Sequence, residues 1–236
     1  MNIKKMLVLV STLVAVFLTG SANALVIDFA GMADGGLGAS AYGEGGGQPI
    51  KLDSRYQTSL GSLFIDAYGY TIAGDTLVPQ QAYLDESWDG RPAGMGVCQT
   101  EGGCAGNSDD NVTNNEVLEL HFNKEVTITG ITFVNGHHDP SFNEYAEFGL
   151  SVGSHSSAIY SYFDLTETFD ALSFTSGAGY SGTDFLFSNT NRANEDKYVY
   201  YVKAMTIKQV PEPGLLLLVL TGLVGVIAAR RMRVQI

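Results

Sequence analysis

Uncharged apolar runs close off both ends of this chain, and only what lies between them can fold as a globule. At the start, Lys4 and Lys5 precede the run Met6–Leu18, and the small-residue site Ala22-Asn23-Ala24 follows. Basic, apolar and small residues in that order form a secretory signal peptide, residues 1–24, with cleavage expected after Ala24. An uncleaved anchor is the alternative, disfavoured by the shortness of the run and the quality of the site. At the other end the run Gly214–Ala229 is followed by Arg230, Arg231 and Arg233. A helix of that run is about 24 Å long, against a hydrocarbon core of about 30 Å. It spans if the arginines snorkel or the bilayer thins, and both cost little. The arginines then mark the cytoplasmic side, which leaves everything before Val210 outside and the chain held to the membrane by its tail.

What remains, residues 25–209, is long enough for one domain with a sizeable core and short for two. The whole chain carries a formal charge of −12. Setting aside Lys4, Lys5 and the three tail arginines leaves eight of its 13 basic residues. Setting aside Glu212 leaves 24 of its 25 acidic ones, so the body carries −16. Such a surface repels phosphates, which excludes nucleic acid as a partner, and it attracts divalent cations.

The body reads as all-β. No segment between the terminal runs sustains helical apolar spacing, whereas short β-branched and aromatic stretches recur between Gly, Asn, Asp and Ser clusters. Leu118, Leu120 and Phe122 alternate with Glu119 and His121, as in a strand buried on one face. Val126 and Ile128 share a face, but Ile131 and Phe133 fall out of phase with them, which predicts a bulge at Gly130. Glu116–Phe122 and Val126–Asn135 are expected as two strands, and Leu172–Thr175 as another. Glycine-rich Gly31–Gly47 is expected to be a surface loop that no strand crosses. Nine or ten short strands in one domain predict a two-sheet, jelly-roll-like sandwich.

The chemistry is densest from Trp88 to Asp139. Cys98 and Cys104 are the only cysteines. In an exported chain so close a pair is expected to form a disulfide, contributing about 2 kcal/mol and stiffening one loop. A metal or redox pair is disfavoured, because the spacing is wider than C-x-x-C and no further thiol exists. Asp109, Asp110 and Asn111, with Glu116 opening the next strand and Asp28 in the first, offer the hard oxygen donors that Ca²⁺ takes. An EF-hand frame started at Asn107 fails, since it puts Val112 at the glycine position and Leu118 at the bidentate acid. The competing reading is a turn whose Asx side chains cap its own backbone. His137 and His138 point opposite ways on an extended chain and are expected to be solvent-exposed loop residues.

Catalytic motifs are missing: there is no G-x-S-x-G, no P-loop and no H-E-x-x-H. The expected class is therefore non-catalytic. A surface hydrolase acting on extracellular polysaccharide is the alternative, because two glycosidase carboxylates meet in space rather than along the chain. Tyr42, Trp88, Tyr180, Tyr198 and Tyr200 are candidates for stacking on sugar rings.

The tail resembles the PEP-CTERM sorting signal of bacterial exosortase substrates. The likeness rests on Val210, Pro211, Glu212 and Pro213, on the short apolar span, and on Arg230 and Arg231 behind it. The stretch Gly94–Phe133 is also similar to one found in other PEP-CTERM surface proteins of undefined activity. The resemblance implies export through the Sec translocon, processing by signal peptidase and cleavage near the motif by an exosortase-type membrane enzyme. It further implies delivery to the outer surface or extracellular matrix of a Gram-negative bacterium, as in a biofilm. It covers residues 210–236 and gives an address, not an activity.

Overall fold

The alternation that ends at Phe122 and the one that starts at Val126 belong to a single strand. The computed structural model describes residues 24–35, 45–47, 50–53, 63–98, 110–154, 160–189, 197–210 and 222–223. In chain order the elements are β1 (Leu25–Asp28), α1 (Phe29–Ala33), β2 (Gly45–Gly47), β3 (Ile50–Asp53), β4 (Phe64–Ala73), β5 (Thr76–Asp85) and β6 (Gly94–Cys98). They continue with β7 (Glu116–Asn135), β8 (Glu147–Val152), β9 (Ser161–Asp164), β10 (Thr168–Phe169), α2 (Ala171–Phe174), β11 (Tyr180–Ser188) and β12 (Tyr200–Gln209). Residues 24–209 form one compact unit. The signal peptide and the tail run lie outside the described residues, and no helix among the described residues is long and apolar enough to cross a membrane.

β7 organises the sheet because different stretches of it meet different partners. Residues Glu116–Phe122 pair with β4, and Val126–Asn135 pair with β12, while β11 runs along both. Between them Asn123–Glu125 stand against a register shift in β11 at Gly182/Asp184, and the Asn123 side chain accepts from the Phe64 amide at 2.8 Å. The polar run Asn-Lys-Glu thus bends one strand instead of ending it. The bulge expected at Gly130 is present one residue earlier: Ile128 pairs with Ile207 and Gly130 with Thr206, leaving Thr129 as the extra residue.

The all-β expectation holds, but the two-sheet sandwich does not describe the connections. β7, β4, β5, β6 and β12 are hydrogen-bonded in a ring, so one sheet closes on itself with further strands added at its edges. A twenty-residue strand that carries its apolar face through a bend can serve both sides of a core, which sequence periodicity presents as two strands. That core is aromatic. Phe148 lies within about 6 Å of Phe133, Tyr200, Phe163 and Phe169, mostly in tilted or edge-on contacts.

Three local expectations are corrected. Leu172–Thr175 is not a strand: Asp170 accepts from the Leu172 amide at 3.0 Å and starts α2. The first strand, expected over Leu25–Ala30, stops at Asp28, which caps α1. A strand does cross the glycine-rich stretch, since Gly45–Gly47 pairs with β5 as β2. A Cβ on Gly46 would strike the Tyr83 ring at 2.8 Å, so the absence of side chains is what lets this strand lie there.

Candidate functional site

The described parts of the chemically dense stretch on either side of residues 99–109, β6 and Asp110–Asn115, lie against β12 where the ring closes. Gly94 and Gly96 allow two backbone crossings: a Cβ on Gly94 would meet the Val202 carbonyl, and one on Gly96 the Asp110 carbonyl. Across β6, the Val97 amide donates to the Asn111 carbonyl at 3.4 Å, and Val112 exchanges hydrogen bonds with Tyr200. The Asn189 amide side chain donates to the Val112 and Tyr198 carbonyls at 3.1 and 2.7 Å. We call this assembly the clasp.

The residues expected to gather calcium are placed in it singly. Asp110 is buried and accepts from the Tyr201 hydroxyl at 2.5 Å. Burial, with that carboxylate beside it, holds the Tyr201 phenol well above its ordinary range. Glu116 is buried and accepts from the Thr113 amide at 2.6 Å, closing its own turn. Asp28 accepts from the Gly31 amide at 3.0 Å as the cap of α1, and Asn111 is buried. Asp109 lies outside the described residues, among which no group of three His, Cys, Asp or Glu side chains converges as metal ligands. The geometry of Asp28 and Glu116 is that of side chains capping backbone. Cys98 ends β6 buried beside Tyr83 and is not a free thiol; Cys104 lies outside the described residues.

The loop after β7 departs from expectation at one histidine. His137 is exposed, but His138 is largely buried, its Nε2 3.4 Å from Asp85 Oδ2 and its ring edge-on to Tyr201. Asn135 makes this possible by accepting from the His137 and Asp139 amides, which curls the loop back over the sheet. Burial lowers the His138 pKa.

Accessible chemistry lies elsewhere, on the outer face of β4, β7, β11, β8 and β9, and sequence reasoning missed it. One row of that face runs Tyr70, Val117, Ser188, Gly149, Tyr162, each paired across to the next strand. Four strand spacings make it about 19 Å long. The adjacent row runs Tyr68, Glu119, Leu186, Ser151, and beyond it Asp66, His121 and Asp184 lie in line. Tyr162 is 50% exposed and Tyr68 partly so, whereas Tyr70 packs against Val117 and Leu186. Tyr160 lies beside Tyr162 with ring centroids 6.5 Å apart, and both rings rest over bare Gly149.

Glu119, outward in the alternation, is only 5% exposed because the tyrosines flank it, and the Tyr70 hydroxyl donates to its carboxylate. The Tyr68 phenol is raised by burial and then by Asp66, Glu119 and Asp184, which places those carboxylates around it. His121 Nδ1 lies 2.6 Å from Asp184 Oδ1, and Thr183 donates to the other oxygen at 2.6 Å. The buried hydroxyls Ser188 Oγ and Tyr160 Oη have no hydrogen-bond partner among the described residues. Groups of this kind are ordinarily met by ordered water or a ligand hydroxyl. The signal in sequence was the alternation Asp66, Tyr68, Tyr70, which sets three polar-tipped side chains outward on one strand.

Of the five stacking candidates expected from the sequence, Tyr200 is fully buried and donates to the Ser188 carbonyl at 3.0 Å. Tyr180 and Tyr198 pack against the core and Tyr42 lies outside the described residues, while Trp88 is 64% exposed. An open cleft of about 330 Å³ between Pro140 and Glu167 carries Glu144, Asp164 and Glu167. No family model matches the chain, and no curated protein or solved structure is significantly similar to it.

Proposed function

We propose that this is an exported, exosortase-sorted protein of the cell surface or extracellular matrix, whose β body binds extracellular polysaccharide without cleaving it. The tail motif Val210–Pro213 supports the sorting, and a Cys98–Cys104 disulfide suits the oxidising compartment it implies. The observation that carries the binding is the tyrosine face. A sugar ring offers an apolar face of C–H groups and a rim of hydroxyls. Tyr68 and Tyr162 offer ring surface to the first. The partly exposed Asp66 and Asp184 offer charge-assisted acceptors to the second. Retention of the exported protein on columns of matrix polysaccharide tests this. The double variant Tyr68→Ala, Tyr162→Ala should lose about tenfold or more in affinity. Unchanged retention of a folded double variant would move the site off this face.

The competing reading is a surface hydrolase, and Glu119 is the carboxylate that favours it. It is nearly buried, hydrogen-bonded by a phenol and set between Tyr68 and Leu186 on the neighbouring strands. Release of reducing ends from polysaccharide, abolished by Glu119→Gln, would select that reading over simple binding.

A further inference from the structure

We propose that the hairpin between β5 and β6 is a second saccharide contact, built around Trp88 and held at the end of the body away from Gln209. It takes from the polysaccharide reading only the class of ligand; its residues are separate from those of the tyrosine face.

The first observation is rigidity around an exposed ring. Trp88 and Arg91 exchange two backbone hydrogen bonds at 3.0 and 2.9 Å, with Asp89 and Gly90 at positive φ between them. That is the two-residue turn that suits the twist of a hairpin. Asp34, just past α1, accepts from both the amide and the hydroxyl of Ser87 at 2.7 and 2.6 Å. On the other side Arg91 is paired with Asp139 at 3.2 Å, and the Arg91 carbonyl lies 3.3 Å from His138 Nδ1. Elements far apart in sequence therefore fix a hairpin whose most hydrophobic side chain remains in solvent. Pre-organising an exposed aromatic lowers the ordering cost of binding to it.

The second observation is position. Arg91 reaches Asp139, whose carbonyl accepts from the Asn135 amide, and Asn135 pairs with Tyr200 at the start of β12. Gln209 ends β12 about 30 Å further on at the strand rise. The same end of β12 as Gln209 also holds Leu25, paired with Ile207. Where the chain enters and leaves the body, Trp88 is at the opposite end.

The chemistry around the ring selects the ligand. Glu86, Asp89 and Arg91, on the same hairpin as the ring, are charged and exposed, and Asp139 is paired with Arg91 at the surface. A protein interface wants an apolar centre, and an anionic bilayer repels a set in which three acids outnumber one arginine. A sugar ring instead stacks on one indole while its hydroxyls meet the Arg91 and Asp139 side chains, each about half exposed.

Trp88 is the only tryptophan in the chain, so its fluorescence reports this place and no other. The exported protein is titrated with neutral oligosaccharides of glucose, mannose and N-acetylglucosamine, with a matrix polysaccharide hydrolysate, and with anionic and zwitterionic vesicles. The expected result is a saturable emission shift with at least one saccharide and none with vesicles, retained in the Tyr68→Ala, Tyr162→Ala variant. Trp88→Ala should weaken column retention about tenfold. Retention on polysaccharide with no Trp88 shift would overturn the second contact and leave the tyrosine face standing. A shift with vesicles alone would overturn it in favour of a membrane contact. Neither retention nor shift with any saccharide would end both readings.

Discussion

The clasp and the tyrosine face hold similar residues and use them in opposite ways. In the clasp, Asp110, Glu116, Asn189, Tyr200 and Tyr201 are buried and their polar groups are turned on the protein's own backbone or on one another. On the face, Tyr68, Tyr162, His121 and Asp184 keep part of their surface in solvent, and the His121–Asp184 hydrogen bond runs between side chains on strands already paired. The difference teaches that density of polar residues along a chain signals a backbone crossing as readily as a binding site. A crossing outside regular pairing leaves amides and carbonyls to be satisfied, and short polar side chains satisfy them.

The contrast breaks most readily at Gly96. Gly96→Val drives side-chain atoms into the Asp110 carbonyl, and the expected loss is about 3 kcal/mol or more, read as a fall in the urea midpoint. A wild-type midpoint would show that close approach is not what shuts the ring. Next comes Tyr201→Phe, which takes from the buried Asp110 carboxylate its hydroxyl donor. Here the cost should be about 1–3 kcal/mol with polysaccharide retention unchanged. Loss of retention at wild-type stability would make the clasp the site.

Alkali sharpens the same contrast. Burial holds the Tyr200 and Tyr201 phenols protonated well above their ordinary range. Above about pH 10 the unfolded chain therefore binds fewer protons than the folded one, and stability falls as pH rises. Tyrosinate absorbance from the clasp should appear only as circular dichroism is lost. On the face, burial beside Tyr162 and Glu119 pushes Tyr160 only to about 12. Clasp tyrosinate formed before unfolding would contradict the burial on which the comparison stands. The smallest expected effect is that of calcium. With Asp28, Asp110 and Glu116 engaged as they are, Tm should not change between EGTA and excess Ca²⁺. A rise would return the clasp to the metal reading.

Much of the fold was legible because sheets impose a period of two. Leu118, Leu120 and Phe122 face the core as their alternation requires, and the phase change after Ile128 marked a real bulge. The ends of Glu116–Phe122 and Val126–Asn135 were placed correctly, but their continuity was not, since a polar Asn-Lys-Glu interval reads alike whether the chain turns or bends. β6 was missed because Gly-Met-Gly-Val-Cys has no alternation; all five of its residues are buried. His138 was assigned to solvent because nothing local shows that Asn135 will fold the loop onto Tyr201 and Asp85. Glu119 was assigned outward, correctly, but its burial depends on tyrosines from β4 and from the residue before β9.

By itself the sequence determined the extent of the folding unit, its acidity and its strand-rich character, and it raised the expectation of an address at its two ends. Each of these depends on composition, on local periodicity or on short contiguous segments. Only the tertiary structure decided that the sheet closes, that Glu116 caps its own turn while Asp110 meets Tyr201, and that Tyr68, Glu119, Asp184 and Tyr162 share a surface. Those facts depend on register between strands more than a hundred residues apart, as between Met95 and Val202, and register is set by the summed fit of a whole core rather than by any one segment.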